Sequence, residues 1–195
     1  MSSEFPVGLL YSTTGTYGVI GRDCLDGALK AIEEINADDR YDFRLTPKIE
    51  NPGGNIDEYL RLTESILRDG QCRQIIGTVT SISRKEIIPI IEKHDVLLWY
   101  VAPYEGFECC ENVIYTGACP NQHIVPLFAE VIPKFGKQAY LIGTNYVWGW
   151  EVNRIARELV TACGGNVTGE HYLPFHSTDV ERMIDSIRET RPSFV

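Results

Sequence analysis

Residues 74–101, QIIGTVTSISRKEIIPIIEKHDVLLWYV, decide the fold. Two apolar runs, Gln74 to Val79 and Val96 to Val101, have the length and composition of strands. Ile75 and Ile76 are adjacent, so a strand here buries side chains on both of its faces. Between the runs, apolar residues at helical spacing predict a helix from about Ser83 to His94. Ser83 and Glu86 stand in the Ser-x-x-Glu spacing of a capping box, which names Ser83 as the cap. A strand, a helix and a second strand in this order form the repeating unit of a parallel sheet.

The same alternation extends in both directions. Towards the N-terminus, strands are predicted at Val7–Tyr11 and Phe43–Ile49, and helices at Tyr17–Asn36 and Ile56–Arg68. The first helix carries the stripe Leu25, Ala28, Leu29, Ile32 and Ile35 on one face. Asn51-Pro-Gly-Gly is a turn, and Gly70 stops the second helix. Towards the C-terminus, a short strand at Val113–Thr116 precedes a helix at Asn121–Phe135. A strand Ala139–Gly143, a helix Trp148–Cys163, a strand Asn166–Leu173 and a helix Asp179–Thr190 follow. The expected class is α/β, parallel sheets with helices on both faces. The weaker pattern over residues 102–125 marks a division near Pro120, giving units 1–120 and 121–195. The final Arg191-Pro-Ser-Phe-Val reads like the opening of another buried strand, as in a piece of a longer protein.

Bulk properties exclude several functions. The chain has 195 residues, 44% hydrophobic and 23% charged, enough for one large domain or two small ones. Its formal net charge of −9 argues against direct nucleic-acid binding, which runs on clustered Lys and Arg. No apolar run reaches the roughly 18–20 residues of a membrane span. The start, MSSEFPVGLL, lacks the basic and apolar regions of a signal peptide. The reading is therefore cytoplasmic, or periplasmic if a leader has been removed. Six scattered cysteines read as free thiols rather than a disulfide scaffold, with Cys24 and Cys163 as small core residues on helices. A Cys109–Cys110 bridge and a metal site from Cys109, Cys110, Cys119 and His123 are minority alternatives. No GxSxG or HExxH motif is present, so no catalytic residue, cofactor or metal is assigned.

The strand-to-helix corners are where ligands sit in such folds. After the first strand, Gly15, Gly18 and Gly21 follow Ser12-Thr13-Thr14. Their GxxGxxG spacing is not the dinucleotide fingerprint GxGxxG. It fits either a glycine-relieved turn or a hydroxyl-lined rim for a small polar ligand. After the third strand, Thr80 and Ser81 bring hydroxyls and helix amides that suit a carbonyl or carboxylate oxygen. After the fourth, Tyr100 offers an aromatic wall with a polar tip. In residues 143–150, GTNYVWGW, three aromatics fall within five positions.

VGLLYSTTGTYG, NPGGNIDEYLRLTE, SISRKEIIPIIEKHDVLLWYVAPYEGFE, NVIYTGACPNQ and LIGTNYVWGWE together resemble, in order and spacing, the type I periplasmic-binding-protein family. PYEGFE and GTNYVWGWE resemble its branch of short-chain amide and urea receptors. Members of that branch include cytoplasmic regulators of aliphatic amidase expression and urea-binding components of ABC transporters. The resemblance implies two α/β lobes closing on a ligand, with this chain supplying lobe one and part of lobe two. It implies ligand contacts at Ser81, Tyr100, Ala102 and Tyr146, with Trp148 nearby and Val79 and Pro103 lining the wall. Ala102 stands where the amidase regulator has threonine, and Val79 and Trp148 where it has tyrosines. None of these positions carries Lys or Arg, which argues against phosphorylated ligands. The implied ligand is a small neutral amide or urea-like molecule. The implied partner is a regulatory protein or, alternatively, an ABC permease, which also extends the ligands to branched-chain amino acids. Self-association is expected of a lobe left incomplete.

Overall fold

The computed structural model describes residues 3–195. The chain divides into two compact units, residues 1–103 with 108–117, and residues 104–107 with 118–195.

The first unit contains β1 (Ser3–Leu10), α1 (Gly18–Ala37), β2 (Phe43–Glu50), α2 (Ile56–Leu67), β3 (Gln74–Gly77), α3 (Ser81–Lys93), β4 (Leu97–Tyr100) and β5 (Val113–Tyr115). Its five strands lie in the order β2-β1-β3-β4-β5, and every pairing is parallel. Alternation along β1 explains the two layers of helices. Val7, Leu9 and Tyr11 face α1, packing with Leu25, Ala28, Leu29 and Ile32. Leu10 joins the opposite face, where Ile66, Ile75, Ile87, Ile91 and Leu98 pack α2 and α3 onto the sheet. Ile75 and Ile76 divide between these two clusters, as the sequence predicts. The chain leaves β1 towards β2 on one side and returns to β3 on the other. The C-terminal ends of β1 and β3 therefore flank a topological switch point, the usual ligand crevice of open α/β sheets.

The glycine triplet after β1 is a packing device. A Cβ on Gly21 would stand 1.8 Å from the Ser12 carbonyl oxygen, and one on Gly18 would stand 3.0 Å from that of Thr13. Gly15 has φ +80°, where an L side chain is strained. The buried Ser12 hydroxyl donates to Tyr59 Oη (2.8 Å) and accepts from the Gly54 amide (2.8 Å). This hydroxyl ties the first loop to α2 and the Asn51–Gly54 turn. The hydroxyl-lined rim is corrected accordingly at Ser12, whose oxygen is spent on the fold.

The second unit contains a short 3₁₀ turn (Pro120–Gln122), then α4 (Ile124–Phe135), β6 (Gln138–Thr144), α5 (Val147–Ala162), β7 (Asn166–Leu173) and α6 (Glu181–Thr190). The helix predicted from Asn121 is split because His123 adopts φ −128° and ψ −63°, outside helical geometry. β6 and β7 are parallel. Ala139 and Leu141 of β6 pack against Ile124, Phe128, Ile132, Ile155 and Val160. Phe194 forms a parallel bridge to Ala139 and sets its ring edge-on to Phe128. The strand-like reading of residues 191–195 is realised at that residue. The bridge and β7 occupy opposite sides of β6, so a second switch point lies at the end of β6.

All six cysteines are free thiols. Cys24, on α1, packs partly buried against the cluster of Val7, Leu9 and Tyr11, but Cys163 is exposed and caps α5 rather than joining the core. Position in the last turn, not helical spacing, decides its exposure; its carbonyl accepts from Lys137 Nζ (2.7 Å). Among the described residues no helix is long and apolar enough to cross a membrane, and no cluster of His, Cys, Asp or Glu could hold a metal ion.

Candidate solute site

The corner after β3 is built by overlapping hydroxyls. Helix α3 starts at Ser81, two residues before the predicted start, and Thr80 is its cap. Thr80 has extended backbone, and its Oγ1 accepts from the Ser83 amide (3.4 Å). Ser83 Oγ donates back to the Thr80 carbonyl (2.9 Å). The capping box read from Ser83 and Glu86 is thus corrected: Ser83 is the third helical residue and answers a cap at Thr80. This shift places Ser81 at the first helical position, buried, at the positive end of the helix dipole. Thr78, three residues before it and fully buried, has a hydroxyl oxygen without a hydrogen-bond partner.

β3 and β4 are neighbours, so the residues following them are brought together. Tyr100, at the end of β4 and 1% exposed, donates its phenol to the Val79 carbonyl (3.1 Å). Val79 and Ala102 are half-buried, and Pro103 is exposed. The sequence-derived contacts Val79, Ser81 and Tyr100 therefore share one end of the sheet.

Behind Tyr100 lies a charged cluster that sequence reading did not single out. Arg84 has a fully buried side chain. Its Nε donates to Glu108 Oε1 (2.7 Å), and its guanidinium carbon lies 4.5 Å from the Tyr100 ring centroid and 5.6 Å from that of Tyr115. Glu108 also accepts from Lys85 Nζ (2.8 Å) and from the Tyr115 hydroxyl. Burial pushes the Glu108 carboxyl up, but the bonds from Arg84, Lys85 and Tyr115 outweigh it and hold the group below its ordinary range. Ser81 and Arg84 are three residues apart on one helix, a spacing that shares a face. Glu108 is 24 residues from Arg84 and gives no local signal.

In the second unit, the corner after β6 is aromatic. Tyr146 precedes α5 without a side-chain cap, and its ring lies 5.5 Å from that of Phe175. Trp148 stacks on His123 at 6.0 Å, and His123 Nε2 is buried without a hydrogen-bond partner. Trp150 is exposed and donates to Asn145 (3.0 Å). A cavity of about 450 Å³ elsewhere in this unit is lined by Leu127, Phe128, Val131, Leu141, Phe194 and others. Its walls are nearly all apolar and lack the convergent polar groups that orient a small solute.

A family model described as "Periplasmic binding protein domain" matches residues 5–195. Among solved structures, an ABC transporter substrate-binding protein from Sphaerobacter thermophilus superposes with TM-score 0.85 at 16% identity, covering 96% of this chain and 52% of its own. A leucine binding protein from Thermotoga maritima gives TM-score 0.83 at 14% identity, covering 96% and 54%. A solute binding protein of an ABC transporter from Rhodopseudomonas palustris, in complex with 3,4-dihydroxy benzoic acid, gives 0.79 at 16% identity, covering 97% and 52%. The chain spans about half the length of these structures.

Proposed function

The chain belongs to the periplasmic binding protein domain family, and from that premise we propose that it is the solute-binding component of an ABC importer. It acts in the periplasm by non-enzymatic capture, with a permease as partner. The observation that carries this reading is the corner at Ser81, where a helix N-terminus, a cap at Thr80 and the buried Tyr100 meet beside a switch point. Such a corner suits a small organic solute that presents a carbonyl or carboxylate oxygen. The names of the related structures support the class: leucine and a benzoic acid each carry a carboxyl group. Ser81, Tyr100, Val79, Ala102 and Pro103 are the proposed contacts at this corner; Tyr146 and Trp148, also proposed from the sequence, belong to the corner after β6 within the second unit.

A regulator of amidase expression, binding a short amide or urea, is the second reading. It rests on the sequence stretches PYEGFE and GTNYVWGWE. The importer reading stands ahead of it because the matched structures carry transporter names. Calorimetric titration with L-leucine, benzoate, urea and acetamide tests both. Heat with leucine or benzoate supports the importer reading and a carboxylate solute. Heat with urea or acetamide alone supports a short-amide or urea solute, which a regulator or an importer of that branch would bind, and overturns the carboxylate solute. Silence with all four counts against a solute of either class.

A further inference from the structure

We infer that Arg84, anchored by Glu108, is a positioning residue for solute recognition: it fixes the ring of Tyr100 and, through its phenol, the Val79 carbonyl beside Ser81. The inference rests on the solute-binding reading above. It starts from a chain of contacts within the first unit. Glu108 grips the Arg84 guanidinium at 2.7 Å, and that guanidinium covers the Tyr100 ring at 4.5 Å. Tyr115 meets Tyr100 edge-on at 6.2 Å and donates its hydroxyl to the same Glu108. Tyr100 in turn donates to Val79 at 3.1 Å. Every link is a directional contact, and its last two groups, the Tyr100 phenol and the Val79 carbonyl, lie at the proposed site.

Cost argues that the arrangement is more than filling. A buried ion pair gives little or no stability over well-packed apolar side chains of similar volume, because both charges must be stripped of water. An apolar residue at position 84 could occupy the space, but it could not set Tyr100. Arginine alone presents a fork to a carboxylate and a flat cationic face to a ring at once. A lysine at this position could keep the charge and the pairing with Glu108 while losing the flat contact. Arg84→Lys therefore separates holding the ring from merely balancing Glu108.

The test is a double-mutant cycle on the 195-residue protein, read by calorimetry with L-leucine, benzoate, urea and acetamide. Arg84→Lys and Tyr100→Phe should each weaken the best-bound probe about tenfold. The double variant should be no weaker than the worse single one, because Arg84 acts through Tyr100. Losses that multiply to about a hundredfold overturn the inference. A readout without solute accompanies it: ring spectra of ¹³C-tyrosine protein. Arg84→Lys and the milder Glu108→Gln should move the Tyr100 and Tyr115 resonances and leave those of Tyr11 and Tyr140 in place. An unmoved Tyr100 resonance also overturns the inference. Silence of the wild type with every probe is a failure of the solute reading, seen before any variant is compared, and the ring spectra then decide the role of Arg84.

Discussion

Two alanine substitutions in the same helix should have opposite effects, and the pair tests what the glycines after β1 are for. At Gly21 an added Cβ would sit 1.8 Å from the Ser12 carbonyl oxygen. An ordinary carbon–oxygen contact is about 3.2 Å, so backbone must separate by roughly 1.5 Å, and backbone cannot yield as a side-chain end does. Gly21→Ala should cost about 3 kcal/mol, the upper end of overpacking penalties. At Gly27, six residues along α1 and exposed, nothing lies within 4 Å of the added carbon. Gly27→Ala should stabilise by about 0.5–1 kcal/mol through helix propensity and a less flexible unfolded chain. At about 2–4 °C per kcal/mol for a chain of this size, the melting points should differ by about 7–16 °C. Urea unfolding at 25 °C, followed by circular dichroism and, in a Trp148→Phe/Trp150→Phe background, by the fluorescence of Trp99 in the first unit, measures both. A Gly21→Ala protein within 1 kcal/mol of wild type would refute the close-approach argument, and the triplet would return to being a candidate ligand loop.

Two further outcomes follow from the corner after β3. The Glu108 carboxyl is held below its ordinary 4.5, so below that pH the unfolded chain binds the proton first. The stability from this group is present above about pH 4.5 and lost as pH falls through the lower folded value. Because removing one partner of a buried pair strands the other charge, Glu108→Gln should cost about 2–3 kcal/mol at pH 7, and its gap from wild type should narrow as pH falls below 4.5; a gap independent of pH sinks the assignment. Thr80→Ala should destabilise by about 1 kcal/mol as a lost cap, whereas Glu86→Ala, exposed and outside the cap, should change urea stability by less than 0.5 kcal/mol.

What the sequence revealed depended on how local each signal was. The Val7–Leu10 half of β1, with β3 and β4, was legible because it is largely buried on both faces and reads as an apolar run, whereas β1 begins at Ser3, and its exposed first residues gave no such signal. The stripe of α1 was legible because its residues repeat within a few turns. The start of α3 was misread because two capping frames overlap: Thr80 with Ser83, and Ser83 with Glu86. Both satisfy the spacing, and only the extended backbone of Thr80 decides between them. Cys163 was misplaced because spacing gives a helical face but not where the helix frays into its cap. The Arg84–Glu108 pair was invisible for a different reason. Its partners are 24 residues apart, on a helix and on a loop with no periodic pattern, and the pairing exists only once β4 and β5 are side by side.

The two switch points differ in chemistry although they share a topology. In the first unit β1 has β2 on one side and β3 on the other; in the second, β6 has β7 on one side and the bridge at Phe194 on the other. At the first, the next helix begins with Thr80, Ser81 and Ser83, and the buried Thr78 hydroxyl stands nearby in sequence. That is a corner of short polar groups at a helix N-terminus, which favours an oxygen carrying negative or partial negative charge. At the second, the helix begins after Tyr146 with no side-chain cap, and Trp148, His123 and Phe175 supply rings. That corner favours a flat or apolar group over an anion. A backbone plan used twice can thus carry two kinds of recognition, because the plan fixes only where a corner lies. The residues that the plan brings to each corner set its chemistry, and here they run hydroxyl in one unit and aromatic in the other.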